Sequence, residues 1–405
     1  MTMLFKDLGL MPELLQSITS LGYKIPTKIQ LDVIPKILNR TDLIAVAPTG
    51  TGKTAAFALP ILQLLAKDTL AKPEKHPRVL VLTPTRELAI QVCSDIVSYA
   101  ENQVQKVFSI YGGVSYEPQI DALSTGVDIV VATPGRLRDH IERGNVDLSH
   151  LEILVLDEAD RMLDMGFIED VDIIISKTSK KRQTLLFSAT FSDEVRALSK
   201  KYLTAPHSVN AMPQSVMAPK VSHVIHPVDP ERKMELLAHL LALTPNQQTL
   251  VFTRTKVRAD EVAKKLTALG FRSMATHSDR TQAYRTKAMA CFKDGRIQIL
   301  VATDIAARGL DIDDLGLVIN YEIPNLPEDY VHRIGRTGRA GSEGKAISLI
   351  TQDELYLLAP IEQLIKITIP QIWVDGFAPL HFDPRRTLKK LPTQSHKPRK
   401  RKWGK

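Results

Sequence analysis

The sequence predicts an α/β protein of two domains of similar size, each a mostly parallel sheet flanked by helices, followed by a basic tail. Three observations carry that expectation. Short apolar runs rich in β-branched residues alternate with helical patterns, as buried parallel strands do in βαβ units. A break at 205–221 holds three prolines and little periodicity, which reads as a linker. The chain has 405 residues, enough for two or three domains at roughly 150 residues each. The expected boundaries are 1–210, 211–378 and a disordered tail at 379–405.

The strand candidates in order are Leu43–Val46, Val79–Leu82, 129–131, Ile153–Leu156 and 184–187, then 249–252, 297–301 and 317–319. Helical stretches such as 257–269 repeat apolar residues at spacings of three and four. No internal repeat of 20–50 residues is visible.

Composition excludes several classes. Apolar residues make up 44% and charged residues 24%, which is globular rather than disordered. Two cysteines, Cys93 and Cys291, cannot staple a secreted scaffold and read as core residues. Lys6 and Asp7 interrupt the N-terminus, so no signal peptide is expected. Nowhere do about 18 apolar residues run together, so no membrane span or membrane partner is expected. A reducing, cytoplasmic setting fits best.

The net charge is +8, yet residues 385–405 hold ten Lys/Arg and no Asp/Glu, which leaves −2 on the rest. Such a tail suits polyanions, nucleic acid first. It also reads as a solvated tail with no partner. Trp403 among those cations could stack on a base or be an ordinary tail residue.

The run Leu43–Val46 leads into Ala47, Pro48, Thr49, Gly50, Thr51, Gly52, Lys53 and Thr54, and a helical pattern follows. Glycines let such a backbone curl so that successive N–H groups point at phosphate oxygens. The helix N-terminus adds its dipole. Lys53 would neutralise the outer phosphates, and Thr54 would ligate Mg2+. A matching acidic element follows Ile153–Leu156, where Asp157 would hold the metal and Glu158 would orient and deprotonate the attacking water. Taken alone, that acidic tetrapeptide is also a solvated helix start.

Further signatures run in a set order. They include Gly22–Gln30 with Phe5 upstream, Pro84–Ala89, Gly112-Gly113, Thr133–Arg136, Asp157–Asp160 and Ser188–Thr190. In the second half they are Leu250–Thr255, Gln282 with Arg285, Val301–Asp311 and His332–Arg339. With the phosphate loop, this set resembles the DEAD-box RNA helicases over nearly everything before the tail. The wording of the last three motifs and the short basic tail are similar to the bacterial RhlE-like subgroup. One departure is Ser278 after His277, where the family usually has glycine; a serine there could restrict the local backbone.

The resemblance implies two RecA-like domains that close around ATP, Mg2+ and single-stranded RNA. Gln30 would read adenine, because a carboxamide donates and accepts at once. Phe5 or Tyr23 could pack against the base or simply fill the core. Asp311 would contact the ribose. Arg336 and Arg339, three apart, would share one helix face and act as arginine fingers from the second domain, or anchor RNA phosphate.

RNA contacts are implied for Pro84, Thr85, Arg86, Gly112, Gly113, Thr133, Pro134, Gly135 and Arg136. Arg254, Gln282, Arg285 and Thr303 are their second-domain counterparts. Backbone contacts of this kind give weak sequence preference. Asp160, Ser188, Thr190, Asp304, His332 and Arg333 would couple the nucleotide to closure. The implied activity is RNA-stimulated ATP hydrolysis that unwinds or remodels RNA. A rival reading is an ATP-gated RNA clamp with little strand separation; another, a DNA translocase, is disfavoured by the Gln30 and Asp157–Asp160 motifs. The family also suggests a monomer that meets ribosome-assembly or RNA-degradation proteins.

Overall fold

The computed structural model describes residues 3–48, 50–67, 76–211, 221–307, 312, 315–338, 344–380 and 382–383. The chain divides into two compact units, one holding the strands up to Asn210 and the other those from Val221 onward.

The first unit contains β1 (Leu43–Val46), β2 (Val79–Leu82), β3 (Val107–Ile110), β4 (Ile129–Ala132), β5 (Ile153–Leu156), β6 (Gln183–Ser188) and β7 (His207–Asn210). Their order is β3-β4-β2-β5-β6-β1-β7, with every ladder parallel. Side chains alternate across a strand, so a sheet covered on both faces needs apolar residues at every position. That is what the runs supply. Leu43, Ala45, Val79, Val81, Ile153 and Val155 enter one core, and Ile44, Leu80, Leu82, Leu154 and Leu156 enter the other.

The second unit contains β8 (Val221–Pro227), β9 (Thr249–Thr253), β10 (Ser273–Thr276), β11 (Ile299–Thr303), β12 (Leu317–Asn320) and β13 (Gly344–Ile350). Their order is β10-β11-β9-β12-β13-β8, again all parallel. Val251, Val301, Leu317 and Ile319 fill its core beside the helices Lys233–Ala242 and Lys256–Ala268. A later segment returns to the β8 edge, where Ile225 exchanges backbone hydrogen bonds with Pro370 and Ile372. The amides of Leu380 and Asp383 also bond within this unit, to Asp229 and Gln352.

Two expectations need correction. Part of the stretch read as a linker is a strand: β7 pairs with β1, and only its Val209 is buried. One inward residue and one outward face give no apolar run, hence no signal. Ser278 imposes no strain, because it lies outside the left-handed region that would demand glycine. Among the described residues, no helix is long and apolar enough to cross a membrane.

Candidate functional site

In an open parallel sheet, loops at the carboxyl ends of the strands collect ligands. Here the carboxyl ends of β1, β5 and β6 carry the phosphate loop, the acidic tetrapeptide and Ser188–Thr190. The loop starts from Ala47, whose amide bonds to the Ser188 carbonyl at 3.0 Å. Gly50 and Gly52 both have positive φ. A Cβ on Gly52 would run into the Gln30 carboxamide, so the close approach and the backbone angle both require glycine. Lys53 opens the helix Lys53–Lys67, is 7% exposed, and donates Nζ to the Ala47 carbonyl at 3.1 Å. Its ammonium therefore lies back across the loop. Pro48, Thr51 and Thr54 are half-buried along the same turn.

Gln30 is 1% exposed. Its Oε1 accepts from the Thr27 amide at 2.8 Å, and its Nε2 donates to the Gly52 carbonyl at 3.2 Å. Thr27 Oγ1 reaches the Thr51 carbonyl at 2.8 Å. The expected adenine reader is thus a latch between the upstream motif and the phosphate loop, a link the sequence did not reveal. Phe5 is a core residue, edge-on to Tyr23, whose hydroxyl pairs with that of Tyr99.

Asp157 and Glu158 leave β5 buried side by side. Glu158 holds φ 53° and ψ 52°, a left-handed conformation that costs a non-glycine residue about 1–2 kcal/mol. Its buried Oε2 has no hydrogen-bond partner among the described residues. Burial pushes the Asp157 carboxyl up to about 7; Lys53 opposes that shift and Glu158 adds to it. Two buried carboxylates, one with an unpartnered oxygen, are costly without a cation. This all-oxygen set, with the Thr54 hydroxyl on the neighbouring loop, fits a hard ion such as Mg2+.

Asp160 is tied to the residues that follow β6. Its Oδ2 accepts from the Ala189 amide at 3.1 Å, the Thr190 amide at 3.0 Å and Thr190 Oγ1 at 3.1 Å. Ser188 Oγ also accepts from the Thr190 amide at 3.2 Å. Asp160→Ala should therefore leave the Ala189 amide without its acceptor and the Thr190 amide with Ser188 Oγ alone, and lower the first urea unfolding transition by about 2 kcal/mol. A midpoint unchanged in circular dichroism would show that the link holds nothing.

The candidate RNA loops of the first unit support one another. The Arg86 guanidinium lies over Gly113, which has positive φ and where any Cβ would collide with it. Thr85 caps the helix Arg86–Tyr99 through the Leu88 amide. Thr133 and Pro134 open the helix Pro134–Glu142, with Gly135 close to Asp170. Arg136 donates to the Val114 carbonyl at 3.0 Å, and its guanidinium sits 4.0 Å above the Tyr116 ring. Arg143 covers the same ring at 4.5 Å. Tyr116 went unnoticed in the sequence, where a lone tyrosine carries no pattern.

In the second unit, Arg333 is buried against Asp304 as a bidentate pair at 2.6 and 2.7 Å. It also donates to Asn320 Oδ1 and the Glu322 carbonyl, and lies 5.0 Å from the Phe252 ring. Thr303 precedes Asp304 at the end of β11, and His332 is half-buried in the last turn of the helix Pro327–Ile334. Arg254 follows β9; its guanidinium meets Glu354 at 2.5 Å, and Glu354 also binds the buried Lys233 at 2.7 Å. Lys233 and Glu354 belong to no motif, so sequence inspection missed this support. Gln282 and Arg285 open the helix Gln282–Lys293.

Arg336 does not occupy the helix face expected of it. The helix ends at Ile334, and Arg336 lies buried in the turn beyond Gly335. Gly335 is the cap at the helix end, and Gly338 follows in the turn with positive φ. Thr49, Asp311, Arg339 and the tail from residue 384 onward lie outside the described residues.

A family model described as DEAD/DEAH box helicase matches residues 27–198, and one described as helicase conserved C-terminal domain matches 232–341. The chain is 45% identical over 368 residues to the ATP-dependent RNA helicase DeaD of Mycobacterium tuberculosis, covering 91% of this chain and 64% of that protein. It is 42% identical to the DEAD-box ATP-dependent RNA helicase CshA of Bacillus cereus, covering 89% of this chain and 68% of that protein. The structure of S. cerevisiae Dbp5 bound to RNA and ADP BeF3 matches with a TM-score of 0.82 and 31% identity, covering 92% and 96% of the two chains. The two parallel sheets are accordingly tandem RecA-like domains. The chain thus spans just under two thirds of the length of its DeaD relative.

Proposed function

The chain belongs to the DEAD-box helicase family, and from that premise we propose that it is an RNA-stimulated ATPase that unwinds or remodels short RNA duplexes and ribonucleoproteins. The observation that carries this reading is the buried Glu158 carboxylate oxygen, unpartnered among the described residues, beside Asp157 at the strand ends that also bear the phosphate loop.

In this reading the loop amides and Lys53 hold the ATP phosphates. Asp157 and Thr54 would hold Mg2+, which when bound shields phosphate charge. Glu158 orients water and takes its proton. Gln30, tied to Gly52, passes the state of the adenine site to the loop. Asp160 passes the state of the catalytic carboxylates to Ser188–Thr190. Arg336 and Arg339 stabilise charge on the departing phosphate, and Asp311 holds the ribose. Arg86, Arg136 and the Gly112-Gly113 turn, with Arg254, Gln282, Arg285 and Thr303, follow the RNA backbone rather than its bases. The same proposal takes the protein to be a cytoplasmic monomer, nearest the RhlE-like subgroup, working beside ribosome-assembly or RNA-degradation proteins.

Strand displacement measured beside ATP turnover tests it. A helicase releases a labelled strand from a short RNA duplex in an ATP-dependent manner. An ATP-gated clamp turns over ATP yet leaves the duplex intact.

The tail adds a separable expectation. Deleting residues 385–405 removes ten cations and should raise the RNA concentration for half-maximal ATPase while flattening its salt dependence. The saturated rate should stay near that of the full chain. Identical RNA titrations at low and high salt would mean a tail that touches no RNA.

A further inference from the structure

We propose that His76, Asp147 and His150 form a site for a borderline divalent cation, best matched by Zn2+, at the end of the first sheet remote from the phosphate loop. One ligand atom from each residue lies within 4.8 Å of the others. Val79 of β2 pairs with Ile153 of β5, and His76 and His150 each stand three residues upstream of that pair. The phosphate loop and Asp157 lie at the opposite, carboxyl ends of these parallel strands.

The scaffold around the three side chains is fixed. Asp147 and His150 flank Leu148 and close on Leu151, both of them 1% exposed core residues. The Leu151 amide bonds to the Leu148 carbonyl, and the Ser149 amide bonds to Asp147 Oδ1 at 2.8 Å. That bond holds the Asp147 carboxyl below its ordinary value, with a smaller contribution from the two histidines. Asp147 Oδ2 is left 3.8 Å from His76 Nδ1, beyond hydrogen-bond length. On the other strand, buried Pro77 fixes the backbone after His76. The Glu152 amide bonds to the Arg78 carbonyl at 2.8 Å, and the Arg78–Glu152 ion pair ties the two strand entries together. The two imidazole rings lie nearly parallel, with centroids 5.0 Å apart and planes 15° apart.

Two imidazoles and one carboxylate select Zn2+ over Mg2+, which prefers oxygen throughout. Zinc–ligand bonds of about 2.0–2.1 Å place tetrahedral ligands roughly 3.3 Å apart. Rotation of three solvent-accessible side chains closes the difference, and water supplies the fourth ligand. The bound ion would staple the entry of β2 to the loop that enters β5, residues 71 positions apart in the sequence at their nearest.

Calorimetric titration of the full chain with Zn2+ should find one saturable equivalent that excess Mg2+ does not displace. His76→Ala, His150→Ala and Asp147→Asn should each weaken it by about tenfold or more. His207→Ala, at an exposed histidine elsewhere, should leave it unchanged. Co2+ should give the visible bands of a tetrahedral site in the native chain and lose them in His150→Ala. Metal-free melting and RNA-stimulated ATPase of the variants should match the native chain. Equal Zn2+ binding by a His76→Ala/His150→Ala chain, or no saturable binding by the native one, would overturn the proposal.

Discussion

Glu158→Gln is expected to lower saturated, RNA-stimulated ATP turnover by roughly 10²-fold or more, the scale of a general base. Glutamine keeps the size and most of the hydrogen-bonding geometry but cannot accept the proton. The site supports a large effect for two reasons. Glu158 lies two residues past the end of β5 and is only 7% exposed, so its side chain is confined by its surroundings. Among the described residues its Oε2 has no hydrogen-bond partner, so none of them commits the oxygen to a structural bond. ATP and RNA should still bind, which a fluorescent nucleotide and labelled RNA can check in the same preparation. Turnover within about threefold of the native rate would remove Glu158 from the reaction.

Arg339→Ala is expected to cost about 10³-fold in the same saturated rate, the low end for an arginine that stabilises transferring phosphate. The neighbouring Arg336 is already buried in the turn after the helix Pro327–Ile334, and the last turn of that helix is anchored by Arg333 on Asp304. The chain around Arg336 is therefore positioned by a buried bidentate pair rather than by a helix face. If RNA affinity falls while the saturated rate survives, Arg339 is a phosphate anchor and the assignment fails.

Much of this was legible in the sequence, for a physical reason. Strands β1, β2 and β5 are buried on both faces, so they appear as unbroken apolar runs of four. Strands β3 and β7 are edge strands with one or no covered face, and their sequences VFSI and HSVN show no such run. The phosphate loop and the acidic residues after β5 were legible because their types and spacing are what phosphate and metal chemistry demands locally, whereas the other motif residues were reached through the resemblance to the DEAD-box helicases. Their supports were not legible. Arg254 leans on Glu354, 100 residues away, and Gln30 bonds to Gly52 across 22 residues. Such pairings exist only once the chain is folded. Arg336 shows the converse error, in which a spacing of three was taken for a helix face although the helix stops at Ile334 with Gly335 as its cap.

The most direct test of the central claim is the steady-state ATP hydrolysis rate of the full chain, measured without nucleic acid, with single-stranded RNA, and with DNA of the same sequence. The loops at the strand ends should engage a ribose-phosphate backbone, and 2′-hydroxyls distinguish RNA from DNA. The expected result is a low basal rate, strong stimulation by RNA of unrelated sequences, and little by DNA. Equal rates in all three conditions, or equal stimulation by DNA, would contradict it.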